Sequence, residues 1–413
     1  MALLFFSQIL LARLMGVEEY GIFFYVISWI AVAVILGKIG LDTTLQRYLP
    51  EYISKFEWQL ARGILARSYQ IATVSSAVLL SLGLIATISL TSFMDEIGYT
   101  TVLTSLFLIP LWIYNKITQG ALLALKKPAM SQIGDGIIQP LGLLIILGTF
   151  FYLQASTVSA TTAMVASLAA WLIALSSSVF LLIKKSLPAQ IGSAKSTFLT
   201  SDWVHYSLPI LFISSTQLVM NYADIIMIGT MLDTTQAGIY AAASRLATLA
   251  TFGLLLVNMI FTPYISELYH QNKPNDLQHL TTLGVRMASS FALPVCFCLW
   301  LFGDKLLAFF GNEFMAGHAS LALLTAGGLV SVISGSVGFI MSMTGHQRQA
   351  AHFFAASSIL NIILNLVLIP LFGIEGAAFA TATSMVLWNI ALAFYIIRNV
   401  EINPTLFRFA GNQ

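Results

Sequence analysis

The chain has 413 residues, of which 58% are hydrophobic and 9% charged, with a formal net charge of +2. A soluble domain carries roughly a quarter charged residues, so the composition excludes an aqueous globular enzyme. A nucleic-acid partner is excluded on charge as well, because the 19 Lys and Arg are scattered through short connections and form no basic patch.

Apolar runs recur at the length of about 20 residues that a bilayer core roughly 30 Å thick demands. They predict an all-α integral membrane protein of about twelve transmembrane helices. Spans fall at 2–14, 20–37, 68–92, 100–124, 134–153, 159–183, 206–230, 238–262, 282–302, 319–343, 351–371 and 374–397. The first, at about 13 residues and 1.5 Å per residue, is too short to cross and reads as truncated. Gly16 and Gly21 then flank a tight turn, with Glu18 and Glu19 where negative charge suits a helix N-terminus. The connection 38–67 mixes aromatic and basic residues, including Arg47 and Glu51, in a pattern that suits either an interfacial helix or a plain connector.

Polar residues inside spans are costly in lipid and face a cavity or a partner helix. In span four these are Asn115, Lys116 and Gln119; Lys116 either snorkels toward the headgroups or attracts an anion. In span seven Ser214, Gln217, Asn221 and Asp224 share one helical face. Arg245 in span eight lies at similar depth to Asp224, so an ion pair between adjacent helices is feasible, with either an architectural or a substrate- or proton-linked role. Cys296 and Cys298 in span nine point apart, which excludes a disulfide between them, and no metal ligands lie near. Span eleven adds Asn361 and Asn365, one turn apart, whose amides suit either sugar hydroxyls or interhelical hydrogen bonds. Span twelve opens with Gly373, Gly376, Ala377, Ala378, Ala380 and Ala382, small enough for a neighbouring backbone to approach.

With the N-terminus inside, fifteen Lys and Arg, from Lys38 to Arg408, fall in inner connections, and only Arg13 and Lys305 in outer ones. That bias fits the positive-inside rule and places both termini in the cytoplasm. The chain also repeats itself. Gly21 aligns with Gly238 and Trp171 with Trp388 at a shift of 217, and the tract YLPEY at Tyr48 to Tyr52 aligns with YISEL at 264–268 at 216, pairing Glu51 with Glu267. A duplicated six-helix unit follows, with lobes expected at 1–195 and 196–413.

Four tracts carry a resemblance to a known family: LARLMGVEEYGIFFYVISW from Leu11, RYLPEY from Arg47, YADIIMIGTMLDTTQAGIYAAASRL from Tyr222 and LIPLFGIEGAAFATATS from Leu368. The chain resembles the multidrug/oligosaccharidyl-lipid/polysaccharide exporter superfamily, and within it the O-antigen-type oligosaccharide lipid flippases of polysaccharide biosynthesis. The resemblance implies two six-helix lobes around a central cavity, alternating access, and transfer of a polyprenyl-diphosphate-linked oligosaccharide to the outer leaflet of the inner membrane.

Candidate substrate residues are therefore Lys116, Gln119, Gln217, Asn221, Asp224, Arg245, Asn361 and Asn365, with Arg47, Glu51 and Glu267 as an inner-loop motif. No cofactor and no catalytic residue is expected, and the chain is expected to be a monomer whose partners are the lipid-linked substrate, the bilayer and the glycan polymerase machinery. A cation-coupled exporter of drugs or metabolites is the alternative within the superfamily. A membrane-embedded glycan polymerase or ligase fits less well, since the outer loops are short and no nucleophile or acid/base pair stands out.

Overall fold

A chain this apolar satisfies its backbone in lipid only by folding into helices, and the computed structural model has no strand among the residues it describes, 2–89, 98–154 and 158–407. The side chains of residues 2, 4, 154, 213, 217 and 263 are outside that description, as are Arg408 and the rest of the C-terminal residues. The helices are α1 (Ala2–Lys38), α2 (Leu41–Ser54), α3 (Trp58–Ser89), α4 (Tyr99–Leu106), α5 (Leu108–Ala124), α6 (Pro128–Ile133), α7 (Gln139–Gln154), α8 (Ala160–Phe180), α9 (Ala189–Ser193) and α10 (Thr200–Met231). They continue as α11 (Thr234–His270), α12 (Pro274–Leu307), α13 (His318–Ser334), α14 (Val337–Met343) and α15 (Gln347–Asn399). Among the described residues nine helical stretches are long and apolar enough to cross a membrane, or ten with Thr200–Thr216 and Leu218–Met231 taken as one bent span. Two of the stretches, Phe5–Ser54 and Gln347–Asn399, are interrupted by non-helical backbone at Gly16 and Gly373, where the sequence predicts the junctions of separate spans.

Local chemistry explains the helix ends. Pro128 and Pro274 occupy first-turn positions of α6 and α12, where the missing N–H is not needed. Asp233 caps α11 through the Gln236 N–H at 2.7 Å. The start of α8 is held twice, by its own Ser159 and by Glu19 of α1, which accepts the Ala160 N–H at 2.5 Å. Glu19 thus serves the N-terminus of a different helix from the one the sequence suggests.

The duplication appears in the hydrogen bonds themselves. At the end of α2 the N–H groups of Lys55, Phe56 and Glu57 donate to the carbonyls of Glu51, Ile53 and Tyr52. At the end of α11, 216 residues on, Gln271, Asn272 and Lys273 donate to Glu267, Tyr269 and Leu268. Phe56 and Asn272, the turning residues, have φ of 60° and 52°. Even the side chains correspond: Lys55 Nζ reaches Glu51 Oε1 at 2.7 Å, and Gln271 Nε2 reaches Glu267 Oε1 at 3.0 Å. The halves diverge upstream of this turn. In the first, left-handed backbone at Ile39 and Gly40 separates α2 from α1; in the second, α11 runs unbroken to His270. At the same shift Gly40 corresponds to Leu256, which resists the φ of 72° that Gly40 adopts.

Two compact units result, Met1–Leu218 and Val219–Gln413, divided within α10. Inside the first unit, α2 buries Leu41, Leu45, Leu49 and Tyr52. The first half of α10 packs on it: Trp203 Nε1 donates to the Tyr52 hydroxyl at 2.9 Å, and Tyr206 meets Tyr48 edge-on at 5.5 Å. The segment between α9 and α10 is strapped to α3. Arg62 donates to the carbonyls of Gly192 and Ala194 at 2.8 and 2.5 Å, the Thr197 N–H donates to Gln59 O at 3.1 Å, and the Arg67 guanidinium lies 4.4 Å from the Phe198 ring. In the second unit, α13 and α15 approach closely: a methyl group at Gly327 would lie 2.8 Å from the Ala382 Cα, and Ala377, Ala378 and Ala380 are fully buried. That is the slim helix face which the run of small residues predicts.

Candidate functional site

Each unit holds one cluster of polar side chains within apolar helices, and the two differ in kind. In the second unit, α10 supplies Asp224, which is 5% exposed. Tyr240 of α11 donates its hydroxyl to Asp224 Oδ2, and Thr381, past the break in α15, donates to the same oxygen at 2.6 Å. Asn365, before the break, donates to Oδ1 at 2.7 Å. Asn361 completes the network by donating to Thr381 Oγ1 at 2.8 Å and accepting from Asn365 at 3.2 Å. The α15 break at Gly373 lets one helix contribute from two directions, with asparagines from one arm and threonine from the other.

Among the described contacts Asp224 accepts hydrogen bonds from three neutral donors, Tyr240, Thr381 and Asn365, which satisfy its buried oxygens. Arg245 is half-buried five residues beyond Tyr240, Asn221 is exposed, and the Gln217 side chain lies outside the described residues. Of the predicted polar face of span seven, Asp224 lies in this cluster. Cys296 is buried and Cys298 exposed, both as free thiols.

In the first unit, α5 supplies Asn115, Lys116 and Gln119, and a π-helical turn at Gly134–Ile138 supplies Asp135. Lys116 Nζ lies 2.5 Å from Asp135 Oδ2 and donates to Gln119 Oε1 at 3.2 Å, while Asn115 Nδ2 donates to Asp135 Oδ1. The Lys116 side chain is 32% exposed and that of Asp135 19%, so the pair is not sealed. Lys116 is tethered laterally to a carboxylate, where the sequence left a choice between snorkelling and attracting an anion.

Neither cluster is duplicated. At the 217-residue shift that aligns Gly21 with Gly238 and Trp171 with Trp388, Asp224, Tyr240, Asn361, Asn365 and Thr381 correspond to Ser7, Phe23, Leu144, Gly148 and Met164, and Lys116 and Asp135 to Ile333 and His352. The inner-loop residues have local partners: Arg47 lies 4.3 Å from the Tyr206 ring centroid, and Glu51 and Glu267 hold the helix ends described above. A shallow groove of about 780 Å³ between residues 56–60 and 190–199 shares no residue with either cluster.

Among the described residues no group of three His, Cys, Asp or Glu could hold a metal ion. The oxygens of this cluster, namely one carboxylate, the Tyr240 and Thr381 hydroxyls and two asparagine amides, are hard donors of the kind that suit a proton or a small alkali cation. Three residues escaped the sequence reading: Tyr240, Thr381 and Asp135. Asp135 had a usable signal, an acid within a predicted span and flanked by Gly134 and Gly136; Tyr240 and Thr381 had none, since a lone hydroxyl in an apolar helix usually bonds its own backbone.

A family model described as polysaccharide biosynthesis protein matches residues 1–269, a stretch that contains the whole Lys116 cluster together with Asp224 and Tyr240. The chain belongs to that family. A second model, MatE, matches residues 209–367, from before Asp224 to past Asn365. The probable low-salt glycan biosynthesis flippase Agl15 of Haloferax volcanii is 24% identical over 397 residues, 95% of this chain and 79% of that protein. The probable flippase AglR of the same organism is 28% identical over 187 residues, 45% of this chain and 39% of that protein. Among solved structures, a multidrug resistance MATE family transporter of the MOP superfamily in an inward-facing conformation superposes with a TM-score of 0.81 at 13% identity, over 96% of this chain and 94% of that one. The lipid II flippase MurJ in an inward closed conformation gives 0.72 at 14% identity, over 96% and 85%. These likenesses show the fold, and the superfamily resemblance read from the four sequence tracts holds.

Proposed function

We propose that this family member flips a polyprenyl-diphosphate-linked oligosaccharide from the inner to the outer leaflet for surface polysaccharide synthesis, by alternating access. The observation that carries the reading is the similarity to a glycan biosynthesis flippase along 95% of the chain. The two clusters support it. Lys116, with Asn115 and Gln119 beside it, is chemistry that recognises an anionic, hydroxyl-rich ligand, whereas Asp224 in its ring of hydroxyls and amides is chemistry that takes up and releases a coupling proton or alkali cation. In this reading the chain is a transporter without catalytic groups or cofactor. It acts as a monomer in the inner membrane with both termini cytoplasmic, and hands its product to the glycan polymerase.

The test is deletion in a host that makes a surface glycan. Lipid-linked repeat units are expected to accumulate on the inner leaflet and surface glycan to disappear, both restored by the wild-type chain; normal surface glycan in the deletant would sink the proposal. The MatE match over residues 209–367 favours a second reading, cation-coupled export of drugs or metabolites. Restored dye efflux in an efflux-deficient host, with glycan unaffected, would select it.

A further inference from the structure

Lys116 and Asp135 form an ion pair with three features that a purely architectural pair does not need. It is open, with about a third of the lysine side chain and a fifth of the aspartate exposed. It is also under-committed: among the described residues Asp135 and Gln119 occupy two of the three N–H groups that Lys116 offers, which leaves the third for a ligand. Finally, Asp135 stands on a π-helical turn, between Gly134 and Gly136. A π turn carries one residue more than the α-helix it interrupts, so moving the turn along the helix re-registers only the residues it passes and swings their side chains by roughly 100°. A carboxylate mounted there can leave its partner while the helix on either side keeps its place.

From this arrangement we infer that Asp135 is a stand-in for substrate: its carboxylate holds Lys116 in place when no substrate is bound, and a lipid-borne diphosphate displaces it. The inference rests on the flippase reading. The chemistry favours the exchange because a diphosphate brings at least two negative charges and several acceptor oxygens to an ammonium that Asp135 satisfies with one charge. Asn115 helps to hold the resting state. Its amide donates to Asp135 Oδ1, and that hydrogen bond does not involve Lys116. Asp135 therefore acts through Lys116 as a positioning residue. It sets the affinity and, by competing for Lys116, helps expel the diphosphate on the far side.

The experiment uses the full chain in lipid nanodiscs, with polyprenyl diphosphate, polyprenol of the same length and inorganic pyrophosphate as probes. Wild type is expected to prefer polyprenyl diphosphate over polyprenol; equal binding of the two would count against the flippase reading itself. Asp135→Asn, which keeps shape and removes charge, is expected to tighten polyprenyl diphosphate about tenfold while leaving polyprenol unchanged. It should also slow flipping at saturating substrate, separating kcat from KM. Lys116→Gln should weaken diphosphate binding about tenfold, and the double variant should match Lys116→Gln, because Asp135 acts only on Lys116. An architectural pair predicts the opposite, namely unchanged or weaker binding in Asp135→Asn, and that result overturns the stand-in while leaving the flippase reading intact. Should Asp135→Asn fail to fold, Asp135→Ser gives the same comparison. Tightening toward inorganic pyrophosphate alone would assign the site to a soluble anion and would also overturn the proposal.

Discussion

Asp224 is the residue on which the second unit's polar chemistry converges. Side-chain donors from α11 and from both arms of α15 meet at its carboxylate on α10. Hydrogen bonds to a charged acceptor are worth about 1.5–3 kcal/mol each, but interhelical ones within membranes average nearer 0.6 kcal/mol. Thr381→Val is therefore expected to cost about 1 kcal/mol of stability and to lower flipping only severalfold. Asp224→Asn keeps the volume and loses the charge; transport is expected to fall at least tenfold at normal protein level. Complementation of surface glycan with quantified membrane protein checks both, and full activity in Asp224→Asn would remove Asp224 from the mechanism. Asp224, Asn361 and Asn365 were legible in the sequence because polar groups in apolar spans are conspicuous. Their partners were not. Charge and depth pointed to Arg245, whereas the hydroxyls of Tyr240 and Thr381 gave no signal: only the folded packing of α11 and the broken α15 brings those two to one carboxylate oxygen.

At the scale of elements, the strap between α9 and α10 is held to α3 by side-chain and backbone contacts together. It depends on Gly63 of α3, where a side chain would overlap the Thr197 carbonyl oxygen. Backbone-to-backbone approach of that kind admits only glycine. Gly63→Ala is expected to push the segment off α3, breaking the Thr197 N–H to Gln59 O bond and loosening the Arg62 contacts to Gly192 and Ala194. Overpacking of this sort costs about 1–3 kcal/mol. Hydrogen exchange should show faster deuteration across 189–199, with the α12 amides unchanged; unaltered protection of the Thr197 amide would show that the strap tolerates the methyl. The sequence predicted the helices on either side of this segment because apolar periodicity is a local signal. The strap was invisible for the converse reason. Carbonyl contacts made by Gly192, Ala194 and Thr197 leave no trace in residue type. The same division explains the repeat: the matching turns after α2 and α11 were readable as YLPEY and YISEL, whereas the break at Ile39 and Gly40, absent from α11, depends on one glycine against Leu256.

At the scale of the whole molecule, two units built from one duplicated plan have been given different chemistry, an open ion pair in one and a buried carboxylate among neutral donors in the other. Both readings of function depend on which side of the membrane each loop occupies, and that rests on charge bias. Lys184 and Lys185 close the π-helical segment Leu181–Ser186 on a connection predicted to be inside, while Lys305 ends α12 on one predicted to be outside. Basic residues near span ends are retained on the cytoplasmic side, so a single cysteine placed at each position reports the topology directly. The background must first be cleared: Cys298 is exposed and Cys296 buried, and both are replaced by serine before labelling. In that background Lys305→Cys is expected to react with a membrane-impermeant maleimide in intact cells, and Lys184→Cys only after permeabilisation. An open connection at Lys184 in intact cells would invert the chain. The Lys116 cluster and the loading side proposed for the diphosphate would then face opposite ways, and a substrate made on the inner leaflet would have to enter elsewhere.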